Sequence, residues 1–152
     1  KYSLASSIKK NERRLVAVAT GFNTKNDRSR ESIKLLTWGL TNFDLVQIAK
    51  KKEVLAELDV WLGKDKTVSV YSDEDIYKTI KKARKKKLNV FIEYNGPIEA
   101  PILIDQDLGY LNVYFNDELL SKHKVYASKS VKKVNLFSRF LMSINYLIWG
   151  DV

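Results

Sequence analysis

The hydrophobic period of this chain changes near residue 43. Residues 32–43 carry an apolar stripe at helical spacing, formed by Ile33, Leu36, Leu40 and Phe43. After Asp44 nearly every segment alternates with the period of a strand. One helix therefore ends a first piece of the chain and begins a second, and Asn26 or Asp27 is predicted to be its N-cap.

Two strands are predicted before this helix. Residues 2–8 alternate loosely, and residues 14–20 form a nearly unbroken apolar run that ends at Gly21. Such a strand is expected to be buried on both faces, which two strands and one helix cannot achieve. We therefore expect further layers upstream. Because the chain begins with Lys1 rather than Met, its natural start and any signal peptide are also expected to lie outside it.

From residue 45 onward the strands are short and the turns frequent. Residues 54–62 place Val54, Ala56, Leu58, Val60 and Leu62 on one face. Further strands are predicted at residues 45–49, 67–71, 77–80, 88–94, 110–115 and 121–126. The pattern is typical of a small antiparallel sandwich or barrel, so the predicted fold class is α+β.

A second helical period follows residue 127. On a helical projection an apolar arc of about 140° comprises Leu136, Phe137, Phe140, Leu141, Ile144, Leu147 and Ile148. A span needs about 20 apolar residues, so this amphipathic helix is too short to cross a bilayer. Packing on the sandwich is one interpretation. We favour a membrane surface, because Trp149 suits an interface and three cations can offer charge to lipid headgroups, namely Lys132, Lys133 and Arg139.

The formal net charge of +9 favours acidic partners without choosing among them. Much of the excess lies in residues 81–87, which are basic except for Ala83. This run is compatible with nucleic-acid binding, but no stacking motif accompanies it, so we favour a solvated loop that protects an edge strand. The absence of cysteine leaves the redox compartment open.

Catalytic and metal-binding patterns are weak. The single histidine, His123, is predicted to be a solvated strand residue. Ser-x-x-Lys occurs by spacing alone, and residues 121 and 124 would point to opposite faces of a strand. No metal-ligand spacing and no glycine-rich phosphate loop is present, so no cofactor and no metal is expected.

Several segments, in this order, resemble a known family. They are Tyr-Ser-Leu-Ala-Ser-Ser at 2–7, Lys-Leu-Leu-Thr-Trp-Gly at 34–39, Val-Trp-Leu-Gly at 60–63, Glu-Tyr-Asn-Gly-Pro at 93–97 and Ala-Pro-Ile at 100–102. The chain is similar to the C-terminal part of low-molecular-mass penicillin-binding proteins, the serine D-alanyl-D-alanine carboxypeptidases of the penicillin-binding protein 5 type. The resemblance covers essentially the whole chain.

The resemblance implies three parts: residues 1–43 as a remnant of the transpeptidase domain, 44–127 as a β-rich domain, and 128–152 as an amphipathic membrane-surface helix. The family's serine, lysine and Lys-Thr-Gly motifs would lie upstream, so this part would be non-catalytic. The intact hydrolase would act on D-Ala-D-Ala stem peptides of peptidoglycan and bind β-lactams, at the periplasmic face of the cytoplasmic membrane. Arg28 matches an arginine near the family's cleft. The alternative is a basic β-domain that binds nucleic acid or a cell-wall protein.

Overall fold

The structure is a computed structural model that describes residues 1–11, 13–135, 144 and 148. The chain divides into two compact units. The first unit comprises Lys1–Val46 and Tyr77–Lys86, and the second comprises Gln47–Ile76 and Lys87–Val152. Over residues 1–11 and 13–135 the structure is mostly β-sheet with one α-helix, which agrees with the β-rich fold expected from the strand pattern.

The first unit begins with an antiparallel hairpin. Strand β1 (Tyr2–Lys10) pairs with β2 (Arg13–Phe22), with Ser6 opposite Ala17. The predicted hairpin is therefore confirmed. In this chain only one face of β2 is covered: Ala17 is 8% exposed, whereas Val16 and Val18 are 68% and 76% exposed. Burial of the second face stays a prediction, because it depends on the upstream layers. One face packs against the following helix, and the side chains of the other face alternate outward.

Helix α1 (Lys25–Asn42) starts earlier than predicted. Its N-cap is Thr24, whose hydroxyl accepts a hydrogen bond from the Asp27 N–H at 3.0 Å. The prediction of Asn26 or Asp27 as the cap is wrong, because Asp27 occupies the third helical position. There its carboxylate accepts a bond of 2.7 Å from the Thr24 hydroxyl, so the cap and the third helical residue are joined by two hydrogen bonds.

The C-terminal end of α1 also differs from the predicted stripe. Phe43 is the C-cap, with extended backbone, and begins the next strand rather than continuing the helix. Ser32 and Leu36 form the buried face, whereas Ile33 is 64% exposed, because a shift of one residue rotates a side chain by about 100°. Arg13 closes the helix end by donating to the carbonyls of Gly39, at 3.1 Å, and Phe43.

The remaining strands are β3 (Phe43–Ala49), β4 (Val54–Trp61), β5 (Thr67–Tyr71), β6 (Ile76–Lys81), β7 (Leu88–Glu93), β8 (Ile98–Glu99), β9 (Asp107–Phe115) and β10 (Glu118–Ala127). They confirm the strands predicted from the alternation. Strands β3 and β6 form a two-stranded sheet, and the others form a six-stranded sheet in the order β7-β9-β10-β5-β4-β8. Its pairs are antiparallel except β4 with β8, which are parallel.

The core of the second unit lies on one face of this larger sheet. Residues that are fully removed from solvent include Val68, Val70, Val113, Val125 and Ala127. Leu58, Val60 and Leu62 are buried as the alternation of β4 predicts. Val54, expected on the same face, is 58% exposed because the β4–β5 register shifts between Val54 and Ala56.

The hydroxyl of Tyr71, at the end of β5, joins two loops. Tyr71 is 5% exposed; its hydroxyl donates to the Asp105 carboxylate and accepts a bond of 2.5 Å from Lys52 Nζ. Lys52 and Asp105 both have left-handed backbone, with φ of 63° and 62°. Because side chains with a Cβ disfavour this conformation, we infer that the Tyr71 hydroxyl holds two strained loop residues in place.

The charges of this contact define its pH range. The hydrogen bond from Tyr71 lowers the pKa of Asp105 below its ordinary 3.8, and the same bond raises the pKa of Tyr71 above 10.0. The contribution of Asp105 is present above pH 3.8 and is lost as the pH falls through the lowered pKa. The contribution of Tyr71 is present below pH 10.0 and is lost as the pH rises through the raised pKa.

We therefore expect Tyr71→Phe to lower the free energy of unfolding by about 1–2 kcal/mol on the plateau between these limits. In the variant, the free energy of unfolding should also lose the part of its pH dependence, at acid and at alkaline pH, that comes from the bond between Asp105 and Tyr71. Urea denaturation at a series of pH values measures both effects. Tyr94→Phe is the matched control, since its hydroxyl has no hydrogen-bond partner among the described residues. Equal losses in the two variants would contradict the interpretation.

Candidate functional site

Arg28 lies in the first turn of α1 and faces the start of the hairpin. Its backbone N–H donates to the Thr24 carbonyl at 3.2 Å, and its guanidinium carbon is 6.0 Å from the centroid of the Tyr2 ring. The Nε atom is buried and has no hydrogen-bond partner among the described residues. Burying an N–H donor without a partner costs free energy, so a hydrogen-bond acceptor placed beside Nε would be stabilising.

Ser32 lies one turn after Arg28 on the same side of α1. It is 2% exposed, and its buried hydroxyl also has no partner among the described residues. Residues four apart are neighbours on a helix surface, so the fold places two unpaired polar groups side by side. Sequence reasoning selected Arg28 and missed Ser32, although the spacing of four residues was available as a signal.

The other charged groups of the helix start pair with one another. Arg30 contacts Asp27 at 2.6 Å and Glu31 at 3.0 Å, and Lys34 contacts Glu31 at 3.0 Å. Hydrogen bonds from Lys34 and Arg30 lower the pKa of Glu31, and the bond from Thr24 is the main cause of the lowered pKa of Asp27. These carboxylates are therefore already neutralised, and Arg28 forms no ion pair with them. A planar guanidinium of this kind can hold a carboxylate by two parallel hydrogen bonds.

The basic run is exposed, as predicted, and forms a short 3₁₀ helix (Lys82–Lys87) rather than a loop. Lys82 contacts Asp44 at 3.8 Å and donates to the Leu40 carbonyl at 3.4 Å. In the described part of the chain the other cations of residues 81–87 have no acidic partner. The segment is therefore an uncompensated positive surface.

His123 is not the solvated residue that was predicted. Its side chain is 19% exposed, Nδ1 lies 2.6 Å from Glu74 Oε1, and Nε2 lies 3.0 Å from Ser121 Oγ. The order Ser–His–Glu resembles a relay for acyl transfer, but that chemistry also needs N–H groups that converge on an oxyanion. Ser121 and His123 lie in a paired strand, where successive N–H groups point in opposite directions. We interpret these hydrogen bonds as contacts that hold β10 against the segment before β6.

Most of the predicted membrane-binding residues lie outside the described residues: Leu136, Phe137, Arg139, Phe140, Leu141, Leu147 and Trp149. Ile144 and Ile148, which the structure does describe, are helical and are 40% and 63% exposed. Lys133 forms an ion pair of 2.9 Å with Glu99, and Lys132 is exposed. In the described ranges no helix is both long and apolar enough to cross a membrane, and no three His, Asp or Glu side chains are placed to hold a metal ion.

Comparison with known proteins gives a consistent result. The family described as "Penicillin-binding protein 5, C-terminal domain" matches residues 43–133. D-alanyl-D-alanine carboxypeptidase DacD of Salmonella typhimurium is 28% identical over 139 residues, which cover 91% of this chain and 36% of that protein. DacA of Escherichia coli is 28% identical over 141 residues, covering 92% of this chain and 35% of that protein. The chain thus spans about a third of the length of the curated relatives it matches.

Solved structures agree with the sequence relatives. Penicillin binding protein 5 from Haemophilus influenzae superposes with a TM-score of 0.70 at 25% identity, over 87% of this chain and 39% of that chain. The D-alanyl-D-alanine carboxypeptidase DacD from Francisella tularensis gives 0.64 at 29% identity, over 88% of this chain and 33% of that chain. The family match extends over more than half of the sequence and includes strands β3 to β10. The chain therefore belongs to the family of penicillin-binding protein 5 C-terminal domains.

Proposed function

We propose that this chain is the non-catalytic C-terminal portion of a serine-type D-alanyl-D-alanine carboxypeptidase, and that it positions the active site of that hydrolase at the membrane. The observation that carries the proposal is the family match at residues 43–133, together with relatives named for this activity. Residues 1–43 would be a remnant of the transpeptidase domain, 44–127 the β-rich domain and 128–152 the membrane-surface helix.

Exposed apolar side chains support the proposal that residues 1–43 complete a larger sheet. Val16 and Val18 point away from α1, and Trp38 on the helix is 53% exposed. Burying each valine would contribute about 1.5–3 kcal/mol. A further layer from the transpeptidase domain would therefore stabilise the hairpin on the face that α1 leaves open.

In the intact enzyme an activated serine from the upstream domain would attack the peptide bond between the two terminal D-alanines of a stem peptide, and β-lactams would acylate the same serine. The role of this chain in that reaction would be to bind the terminal carboxylate through Arg28. Support comes from the unpaired, buried Nε and from neighbouring acids that already have cationic partners. The guanidinium would orient the scissile bond and leave the chemistry to the serine.

We expect Arg28→Gln in the intact enzyme to lower kcat/KM for a D-Ala-D-Ala peptide about 10–100-fold, since hydrogen bonds to charged groups contribute about 1.5–3 kcal/mol. Steady-state kinetics measure the effect, and thermal unfolding checks that the fold is kept. Arg14→Gln is the control, because Arg14 is exposed and has no charged partner among the described residues. An unchanged kcat/KM in Arg28→Gln would assign the residue a structural role.

Anchoring would depend on residues 128–152, on the periplasmic side of the cytoplasmic membrane. Ile144 and Ile148 are four residues apart, hence on one side of a helix, and both are exposed. Exposed apolar side chains on one helix face are typical of a segment that lies in a lipid interface. Lys132 would add electrostatic attraction to anionic headgroups.

The 152-residue chain is expected to float with vesicles of phosphatidylethanolamine and phosphatidylglycerol, and a chain cut after Lys133 to stay in solution. The double variant Ile144→Ser with Ile148→Ser should bind at least about tenfold more weakly, since each side chain would bury apolar area worth about 1.5–3 kcal/mol. Leu103→Ser, at a position that is 67% exposed, is the matched control. Full binding after the cut would overturn the anchor.

The alternative function, nucleic-acid binding, depends on the uncompensated cations of residues 81–87. It predicts salt-dependent binding of single-stranded RNA that weakens about tenfold or more when Lys85, Lys86 and Lys87 become Gln. A fluorescence anisotropy titration measures this binding. Changing Lys50, Lys64 and Lys66 to Gln removes the same charge elsewhere and is the control. Equal weakening in both triple variants, or no RNA binding, would exclude a specific site; a cell-wall protein partner would then be the remaining alternative.

A further inference from the structure

Strands β7 and β9 have a second face that the core does not use. Their register places Asn89 opposite Tyr114, Phe91 opposite Asn112, and Glu93 opposite Tyr110. Directly opposed residues share a face, and the core lies on the other one, with Leu111 and Val113 buried there. The outward face therefore carries alternating aromatic, amide and carboxylate side chains.

The floor of this face is a hydrogen-bonded amide and carboxylate pair. Asn112 is 4% exposed and donates from Nδ2 to Glu93 Oε2 at 2.7 Å. The same carboxylate oxygen accepts from Lys122 at 3.0 Å, and the Lys122 ammonium lies 4.1 Å from the centroid of the Tyr110 ring. Asn112 Oδ1 is buried without a hydrogen-bond partner among the described residues. The floor is therefore fixed in orientation and has one acceptor to spare.

Aromatic rings stand above this floor. Phe91 is 59% exposed, although it belongs to a paired strand, and its ring meets that of Tyr114 edge to face at 6.0 Å. Together with Asn116 and Asp117 these side chains line an open groove of about 590 Å³. Ligand sites occupy about 300–1,000 Å³ and combine aromatic surface with a few placed polar groups, which is the composition found here.

The charges and donors of the groove select the class of ligand. Glu93 and Asp117 repel an anion, and Lys122, the cation beside them, is already paired with Glu93. A wholly apolar ligand would cover the amides and carboxylates without giving them partners, which is costly. A neutral ligand with C–H surfaces and many O–H or N–H donors satisfies both conditions, since C–H edges pack on aromatic faces and hydroxyls bond to amides and carboxylates.

We propose that the outward face of β7 and β9 is a carbohydrate-binding groove for a neutral glycan strand, with Phe91 as the stacking platform and Asn89, Glu93, Asn112 and Asn116 as hydrogen-bonding partners. The occupant would be the glycan of the cell wall, an assignment that rests on the proposed carboxypeptidase function. The groove would then hold the enzyme on the polymer whose peptides it trims. Carbohydrate binding itself does not depend on that function.

The test is a ¹H–¹⁵N NMR titration of the 152-residue chain with chitohexaose, a neutral chain of N-acetylglucosamine. We expect saturable shifts confined to residues of β7, β9 and the turn at Asn116 and Asp117. Phe91→Ala and Asn89→Ala should each weaken binding about tenfold, the loss typical of a central contact residue. Leu103→Ala, which is also exposed but lies outside the groove, should bind like the unchanged chain.

Absence of saturable shifts at millimolar chitohexaose, shifts located elsewhere, or unchanged affinity in both groove variants would overturn the proposal. So would equal weakening by Leu103→Ala. Because Phe91 and Asn89 are exposed, their variants are expected to fold, and their NMR spectra report this directly. Vesicle flotation tests the membrane anchor, and peptide hydrolysis tests the role of Arg28. Both are measured separately from glycan binding, so a negative result in either one does not decide whether the groove binds a glycan.

Discussion

The burial of strand β5 is the constraint on which the second unit depends. Val68 and Val70 are fully removed from solvent, and the strand lies between β4, its neighbour in sequence, and β10, which is about fifty residues away. Closing so long a segment costs chain entropy, which apolar burial helps to offset. Tyr71 extends this order beyond the strand, because its hydroxyl is the point at which Lys52 and Asp105 are held in left-handed conformations.

The polar groups divide into those that are paired and those that are not. Several lysines of the second unit form ion pairs with carboxylates, for example Lys124 with Asp107 and Lys129 with Asp65. These exposed pairs contribute little stability individually. Arg28 Nε, Ser32 Oγ and Asn112 Oδ1 are buried and unpaired among the described residues. Since the fold retains them at a cost, they are the positions where a ligand or a further domain has the most to contribute.

The two faces of the larger sheet have different roles. One face is the aliphatic core, and its side chains are determined by packing alone. The other face, at β7 and β9, bears Phe91, Tyr114 and Asn112, a combination that packing does not require. Gly109 lies in β9 beside the end of β7. Its φ is 155°, and a Cβ at this position would lie 2.4 Å from the Glu93 carbonyl oxygen. The close approach of β9 to the end of β7 therefore depends on glycine.

The sequence by itself determined the hairpin, the central helix, the strands from their alternation, and membership of the family, because hydrophobic period and short segment patterns are local properties. It also predicted that the basic run is exposed, whereas the role of Arg28 stays a prediction. Only the tertiary structure decided that Ser32 rather than its neighbour Ile33 is buried. It also decided that Thr24 rather than Asp27 caps the helix. The pairing of His123 with Glu74 and the buried Asn112 Oδ1, which has no partner among the described residues, also required it. These properties depend on register and on contacts between residues that are distant in sequence, where a shift of one residue exchanges a buried side chain for an exposed one.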